Sequence, residues 1–269
     1  NGRCPWPLCF GEISVNGFLS GKKGLVVGIA NDQSIAWGCA RALRDAGADL
    51  AVTWFNDKAR PYVAPLAHQL QADIAMPLDV EQPGEMEALF DAITQRWGRL
   101  DFLLHSIAFA PKSDLHGRVT DSSREGFARA MDISCHSFTR MAHLAEPLMT
   151  EGGSLMTMSY VGAEEVVPNY GVMGPVKAAL ESTTRYLAAE LGPKGIRVNA
   201  ISPGPLATRA ASGIPNFDAL MDDAARRAPL RRLVELHEVG ALCSFLASDQ
   251  AKAITGNTLY IDSGYHILR

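Results

Sequence analysis

The sequence lacks the features that mark membrane, secreted and nucleic-acid-binding proteins. No apolar run approaches the ~20 residues of a membrane span, and no basic patch followed by an apolar core begins the chain. The formal net charge is −4, so there is no basic surplus for binding nucleic acid. We therefore expect a cytoplasmic protein that binds neither nucleic acid nor membranes.

Cysteine is scarce as well. The five cysteines form no C-x-x-C pair and no metal-ligand spacing with histidine, which predicts reduced thiols and no metal site. A chain of 269 residues can bury enough surface to fold without disulfide bonds.

No repeat or low-complexity block divides the chain, which predicts one domain. Residues 1–17 match neither helical nor strand periodicity and contain two prolines, so we treat them as an atypical N-terminal extension. The domain then covers residues 18–269. Within it, residues 206–228 are predicted to be short helices and loops that form a lid.

Short apolar runs alternate with helical patterns along this domain. Strands are predicted at residues 24–28, 49–54, 73–78, 100–106, 153–159, 197–202 and 258–262. Helices are predicted at residues 35–47, 83–97, 124–149, 169–191 and 234–246. The alternation predicts an α/β fold with a Rossmann-like, doubly wound parallel sheet flanked by helices.

The dinucleotide fingerprint G-x-G-x-x-G is absent from the turn after the first strand, where only Gly28 stands before Gly38. Ala30 and Ser34 are small enough for a phosphate to approach, with Ser34 as helix cap and donor. At the end of the third strand, Asp79 is placed either to accept from an adenine amino group or to cap a helix. On these residues alone, a plain turn and a pyrophosphate site both remain open.

Two tyrosines and a lysine lie between the fifth strand and the next helix. If that helix begins near Asn169, then Tyr170, Met173 and Lys177 share one face, because residues three and four apart are neighbours on a helix. Tyr160 would lie over the carboxyl end of the strand. We predict that Tyr160, Tyr170 and Lys177 form the catalytic site.

His105 is the other candidate for acid–base chemistry. It lies inside an apolar strand, and a lone histidine there is more often a hydrogen-bonded core residue. We interpret it as part of the core.

The order of these motifs resembles the short-chain dehydrogenase/reductase superfamily. Ordinary members carry Y-x3-K, but here the position four before Lys177 is Met173. The spacing Tyr160-x9-Tyr170-x6-Lys177 instead resembles the bacterial enoyl-[acyl-carrier-protein] reductases. The likeness runs from Gly17 to the C-terminus and includes the stretches at residues 33–38, 55–57, 105–111, 124–127, 168–174 and 210–214.

The resemblance implies a sheet of about seven strands in a homotetramer, with NADH as cofactor. It places the cofactor along Gly28, Ser34, Ile35, Phe55, Asp79, Val80, Ile107, Lys177, Leu206, Ala207, Thr208 and Ala210. It also places Ala108 and Ala110 beside the acyl thioester, and Met173 and Phe217 in the acyl pocket, although both could equally be ordinary core. Phe55 and Ala108 depart from the family, where glutamine and glycine are common.

The implied reaction reduces trans-2-enoyl thioesters of acyl carrier protein with hydride from NADH, the final step of fatty-acid elongation. Tyr170 would donate a hydrogen bond to the developing enolate oxygen, and Lys177 would bind the ribose hydroxyls. Tyr160 would close the pocket or position the thioester. A shift from position 173 to position 170 would move the phenol ~4.5 Å along a helix.

Two further expectations concern partners. No arginine directly follows Trp54 at the 2′-phosphate position, which favours NADH, although Lys58 and Arg60 keep NADPH possible. Acyl carrier protein is acidic, so a basic rim is expected near the lid. The candidates, which could equally form a solvated face, are Arg226, Arg227, Arg231 and Arg232.

Two alternatives remain. The first is a short-chain dehydrogenase that acts on a ketone, such as a 3-oxoacyl or steroid substrate, and Met173 at the ordinary tyrosine position argues against it. The second is a non-catalytic nucleotide-sensing protein, against which stand Tyr160, Tyr170 and Lys177.

Overall fold

The computed structural model describes residues 17–208 and 217–268, without the side chains of residues 217 and 218. Seven strands form one parallel sheet in the order β3-β2-β1-β4-β5-β6-β7. The strands are β1 Lys23–Val27, β2 Asp49–Trp54, β3 Ile74–Pro77, β4 Phe102–His105, β5 Gly153–Met158, β6 Ile196–Pro203 and β7 Thr258–Ile261. The predicted α/β fold is confirmed.

Helices cover both faces of this sheet. They are α1 Ile35–Asp45, α2 Arg60–Gln69, α3 Glu85–Trp97, α4 Lys112–Leu115, α5 Arg124–Met131, α6 Ser137–Ala145, α7 Met173–Leu191, α8 Phe217–Arg227 and α9 Leu236–Ala247. One apolar layer packs α1 and α9 against the sheet, and a second packs α3, α6 and α7 against the other face. Burial on both faces explains why the strands have continuous apolar runs instead of alternating ones.

The helices between β2 and β3 and between β4 and β5 differ from the sequence-based prediction. No helix was predicted between β2 and β3, where α2 forms, because Pro65 interrupts its pattern. The predicted helix 124–149 is divided by a π-helical turn, Asp132–His136, between α5 and α6, and ends in a 3₁₀ turn, Glu146–Leu148. Side chains after the π-helical turn are therefore rotated relative to a regular helix.

Within the described ranges, no helix is both long and apolar enough to cross a membrane. The switch point of the sheet lies between β1 and β4, where the strand order reverses direction. In open parallel sheets, ligands bind at the carboxyl ends of the strands beside this point. We therefore expect ligand contacts from the loops that follow the strands.

Candidate active site

Most residues predicted to bind cofactor or substrate lie at this one edge of the sheet. Ser34 and Ile35 lie beside it, at the start of α1. The residues that follow the strand ends are Gly28 after β1, Phe55 after β2, Asp79 and Val80 after β3, Ile107, Ala108 and Ala110 after β4, Tyr160 after β5, and Leu206, Ala207 and Thr208 after β6.

The turn after β1 brings the backbone close to the next strand. Gly28 has φ of +109°, and a Cβ atom there would lie 2.1 Å from the carbonyl oxygen of Ser106. Only glycine fits this position without moving β4. The turn then leads directly to the N-terminus of α1, whose first amides have no partners within the helix and suit a pyrophosphate.

Ser34 is the N-cap residue of α1, but the predicted cap bond is wrong. Its side chain makes no capping hydrogen bond; instead, Ser34 Oγ donates to the Asn31 carbonyl at 2.7 Å. The hydroxyl satisfies the preceding loop, so the first amides of α1 are not engaged by the Ser34 side chain. This arrangement fits the pyrophosphate of a dinucleotide better than a self-capped helix would.

The adenosine side of the edge is formed by residues after β2 and β3. Phe55 is exposed, whereas Val80 is buried in the core. Asp79 does not cap α3, whose N-cap is Gly84; its carboxylate accepts from the Glu81 amide at 3.0 Å. Contact of Asp79 with adenine stays a prediction.

The helix carrying Lys177 begins at Met173, so the prediction of a helix start near Asn169 is wrong. Asn169 and Gly171 have φ of +64° and +50°, a left-handed conformation that no helix accommodates. A Cβ atom on Gly171 would lie 2.5 Å from the Leu115 carbonyl oxygen. Tyr170 therefore lies in a tight turn between these residues, and the predicted ~4.5 Å displacement along a helix does not apply.

The turn nevertheless brings the predicted groups together. The rings of Tyr160 and Tyr170 meet edge to face, with centroids 5.1 Å apart and planes inclined by 63°. Met173 and Ala110 pack in the same apolar cluster. The Tyr160 hydroxyl is buried and makes no hydrogen bond to any described residue, so a donor and acceptor is available in a mostly apolar pocket.

Lys177, one turn after Met173 on α7, has only 4% of its surface exposed. Its Nζ atom donates to the Met158 carbonyl at 2.6 Å. Burial lowers the pKa of Lys177 to about 8, opposed in part by Cys135 and Glu181. Burial also raises the pKa of both Tyr160 and Tyr170, so both phenols stay protonated and can donate.

The loop after β4 is tied to the π-helical turn. Ser134 Oγ accepts from the Phe109 amide at 2.9 Å and donates to the Phe109 carbonyl at 3.0 Å. Ile107 packs against the core and Ala108 is exposed. These two hydrogen bonds hold Ala108 and Ala110 at the edge where nicotinamide and thioester are predicted to lie.

His105 is a core residue, as predicted. Its Nδ1 and Nε2 atoms lie 3.0 Å from Thr157 Oγ1 and 2.8 Å from Ser137 Oγ. Burial, together with the charge of Lys177, lowers the pKa of His105 to about 3. The ring is therefore neutral and locked, and it faces neither of the tyrosines as a base would.

After β6, Leu206 packs against the core, while Ala207 is exposed and Thr208 is half-buried. Ala210 lies outside the described residues, and so does the side chain of Phe217. Cofactor contact at Leu206, Ala207 and Thr208 stays a prediction. Among the described residues, no group of three or more His, Cys, Asp or Glu side chains is placed to hold a metal ion.

The arginines proposed as a basic rim differ in how they are held. Arg232 forms a two-point ion pair with Glu238 at 2.6 and 2.7 Å, at the start of α9. Arg227 contacts Asp223 and lies over the Tyr265 ring, and Arg231 donates to the Arg226 carbonyl. The Arg226 side chain is 77% exposed and pairs with Asp223 at 3.6 Å, so it is more accessible than Arg227 at 41% and Arg232 at 47%.

Sequence reasoning missed a polar group beside Lys177. Glu181 lies one helical turn further along α7 and accepts a hydrogen bond from Ser159, the residue before Tyr160. The available signal was the spacing of four residues between Lys177 and Glu181, which places both on one helix face.

A parallel sheet with this strand order, together with a tyrosine and a buried lysine after β5, defines a nucleotide-dependent reductase of the short-chain dehydrogenase/reductase class. A sequence model described as enoyl-(acyl carrier protein) reductase matches residues 28–266. The chain therefore belongs to the enoyl-acyl carrier protein reductase family.

Individual relatives agree. The chain is 49% identical over 251 residues to enoyl-[acyl-carrier-protein] reductase [NADH] 1 of Rhizobium meliloti, covering 93% of this chain and 92% of that protein. It is 47% identical to the Nostoc NADH enzyme, with 93% and 98% covered. A crystal structure of the Anaplasma phagocytophilum reductase in complex with NAD superposes with a TM-score of 0.91 at 45% identity, covering 94% and 97%.

Proposed function

We propose that this protein reduces the carbon–carbon double bond of trans-2-enoyl thioesters on acyl carrier protein, with NADH as hydride donor. This is the final step of each fatty-acid elongation cycle. The observation that carries the proposal is the shared cluster of Tyr160, Tyr170, Met173 and Ala110, with the buried Lys177 one turn after Met173. Family membership supports the same reaction.

The chemistry follows from where charge develops. When NADH is bound, it supplies hydride to the β-carbon of the enoyl thioester, and negative charge then builds on the thioester oxygen. A preorganised donor aimed at that oxygen interacts more strongly with the transition state than with the substrate. We assign this donor role to Tyr170, which is buried and protonated.

Tyr160 and Lys177 would support that donor. Tyr160 would close the pocket over the thioester, since its ring packs on Tyr170 and its hydroxyl has no partner among the described residues. Lys177 would hold the ribose hydroxyls of the cofactor and, by its charge, stabilise the enolate. The Met158 carbonyl fixes the Lys177 ammonium for both tasks.

The end of β2 supports NADH as the cofactor. Phe55 is exposed and carries no charge, and the nearest guanidinium on α2, that of Arg60, lies 5.7 Å from the Trp54 ring centroid. Stacked on Trp54, Arg60 has an alternative to binding a 2′-phosphate. Exchange of Arg60 for alanine should therefore leave the KM for NADH unchanged.

A ketone reductase is the weaker candidate for this site. Its tyrosine would occupy position 173, and Met173 is buried there without an acidic proton. The purified protein should oxidise NADH when given crotonyl-coenzyme A. It should not do so with a 3-oxoacyl thioester or a steroid ketone.

Further proposals concern the assembly and its partner. We propose a homotetramer in the cytoplasm, supported by Tyr186, which is 71% exposed on the outer face of α7 and offers apolar surface to a second copy. We also propose that Arg226 contacts acidic acyl carrier protein. Reversing its charge should raise KM for the carrier-linked substrate and spare the coenzyme A analogue, with exposed Arg96→Glu as the control.

Residues 18–269 are proposed to be the catalytic domain, with residues 206–228 as its lid. Residues 1–16 lie outside the described part of the chain. Because the proposed domain begins at residue 18, deletion of residues 1–17 should leave turnover unchanged. A loss of activity on this deletion would show that the extension is part of the working domain.

A further inference from the structure

A buried polar group lies directly behind the proposed catalytic lysine. Glu181, one turn after Lys177 on α7, is only 4% exposed. Carboxylates are almost never fully buried unless they are paired or hydrogen-bonded. We therefore expect Glu181 to be held by buried polar partners.

Lys177 and Glu181 hold two successive residues at the end of β5. Lys177 Nζ donates to the Met158 carbonyl, and the Ser159 hydroxyl donates to a Glu181 carboxylate oxygen. Thr258 at the start of β7 also hydrogen-bonds the Glu181 side chain. The Glu181 carboxyl is thus fixed to the segment that carries Tyr160 and to β7, on the same face of α7 as Lys177.

Two more hydroxyls face the same side of the sheet. Ser202 is 1% exposed, and its Oγ atom makes no hydrogen bond to any of the described residues, 17–208 and 217–268. It lies on the same strand face as Val198, which packs under α7. Tyr260 pairs with Ser202 across β6 and β7, and its buried hydroxyl also lacks a well-aligned partner in the described structure.

Buried hydroxyls of this kind are usually satisfied by internal water, because an unmade hydrogen bond in the interior is costly. Glu164 lies between the hydroxyl of Tyr260 and solvent. It is exposed, and it is close enough to Tyr260 to raise, after burial, the pKa of that phenol. Polar groups therefore follow one another from solvent at Glu164 to Tyr260 and Ser202, and Thr258 on the same face of β7 leads to Glu181.

We propose that this series of polar groups delivers the proton consumed in each turnover, with Glu181 as its inner carboxyl. The inference rests on the proposed function, in which the enolate takes one proton after hydride transfer. Tyr170 gives that proton and regains it from the Lys177 ammonium. Glu181 then gives its proton through a bridging water to the neutral amine and is reprotonated from solvent through water bound by Ser202 and Tyr260. Glu181 touches no substrate and acts through Lys177.

The charges that face Glu181 suit this role. Burial raises the pKa of its carboxyl and Glu164 raises it further, while Ser159, Thr258 and Arg185 lower it. Lys177 on the same helix, Tyr170 from the turn and Tyr260 from β7 are the other titratable groups near it. A raised pKa keeps more of the Glu181 carboxyl protonated near neutral pH, as a proton relay requires.

The test exchanges Glu181 for glutamine, which keeps the volume and the hydrogen bond from Ser159 but cannot carry the proton. With crotonyl-coenzyme A and NADH, Glu181→Gln should lower kcat about 100-fold at an unchanged KM for NADH. The solvent deuterium isotope effect should rise, and the effect of deuterated NADH should fall towards one. Glu181→Asp should recover most of kcat, and exposed Glu87→Gln on α3 should match the wild type.

Wild-type kcat in Glu181→Gln, or a lower kcat with both isotope effects unchanged, would overturn the relay. If Glu181→Gln does not fold, Ser202→Val decides, since it removes the inner water-binding hydroxyl. It should produce the same pair of isotope changes, and unchanged isotope effects would refute the proposal. Failure of the wild type to reduce the enoyl thioester would instead contradict the proposed function.

Discussion

The ring of Tyr160 meets the ring of Tyr170 edge to face, at a centroid separation of 5.1 Å and an inclination of 63°. Such aromatic pairs contribute about 0.5–1.5 kcal/mol beyond their buried area, so each ring fixes the other. The pair differs in solvent access: Tyr170 is buried, whereas Tyr160 is half-buried. This difference supports the proposal that the inner phenol faces the reacting oxygen and that the outer one closes the pocket.

Exchange of Tyr170 for phenylalanine should lower kcat by roughly 100- to 1,000-fold, the usual cost of one donor to a developing oxyanion. Tyr160→Phe should have a smaller effect and act mainly on KM for the thioester. Steady-state kinetics with crotonyl-coenzyme A measure both. The control is Tyr186→Phe on the outer face of α7, and equal losses in all three variants would contradict the assignment.

Binding of NADH should weaken as the pH rises through about 8, the value to which burial lowers the pKa of Lys177. Between pH 7 and pH 9 the protonated fraction falls about tenfold, so Kd should rise by roughly the same factor. Fluorescence titration of NADH measures this. A Kd that is flat over this range, or one that rises equally in Lys177→Met, would refute the role of the ammonium.

The same shift has a consequence for stability. The pKa of Lys177 in the folded state lies below its ordinary value of 10.5, so burial of the charged lysine destabilises the fold at neutral pH. This penalty disappears as the pH rises from about 8 towards 10.5, because the unfolded chain then holds more protons than the folded one.

Gly171→Ala should displace Tyr170 and lower kcat. Gly84→Ala, which has a similar left-handed backbone, should lower stability without this loss of kcat. The new Cβ would meet the Leu115 carbonyl, and the left-handed φ adds ~1–2 kcal/mol of strain. Gly84→Ala is the matched control, because Gly84 has φ of +87° but nothing within 4 Å of the added atom. Kinetics and urea unfolding of both variants separate the two effects, and equal kcat values would contradict the account of this turn.

His105 should make the fold sensitive to acid. Its folded-state pKa is lowered from 6.5 to about 3, so the unfolded chain binds more protons and stability falls as the pH drops below 6.5. From pH 7 to pH 5 this one group should remove ~2 kcal/mol of unfolding free energy. Urea unfolding of the wild type and His105→Gln at both values measures the difference, and identical pH slopes would show that His105 is not buried and neutral.

The strands were the most predictable part of the fold. Continuous apolar runs locate the central strands, because a parallel strand covered on both faces has no polar side, whereas the edge strands β3 and β7 are only partly covered. Helix α2 was missed because Pro61 and Pro65 obscure its period, although proline is tolerated in a first turn. Apolar periodicity thus predicts a strand or helix well where the residues also have the matching intrinsic propensity.

The geometry around the proposed site could not be predicted from the sequence. The spacing singled out Tyr160, Tyr170 and Lys177 as candidates, yet the left-handed Asn169 and Gly171 place Tyr170 in a turn before the helix. Glutamates four residues from a lysine usually lie on exposed helix faces, so the spacing alone offered no reason to single out Glu181. Its burial depends on β6 and β7, which are distant in sequence, and only the assembled sheet reveals it.

Hydride is proposed to reach the β-carbon of an enoyl thioester at the site formed by Tyr160, Tyr170 and Lys177. The most direct measurement gives the protein crotonyl-coenzyme A and NADH deuterated at the transferable position, and locates the label in the product by NMR. We predict a saturated butyryl thioester with deuterium on the β-carbon, formed far more slowly by Tyr170→Phe. Absence of a saturated product, or label appearing only on a carbinol carbon when a 3-oxoacyl thioester is offered, would contradict the account.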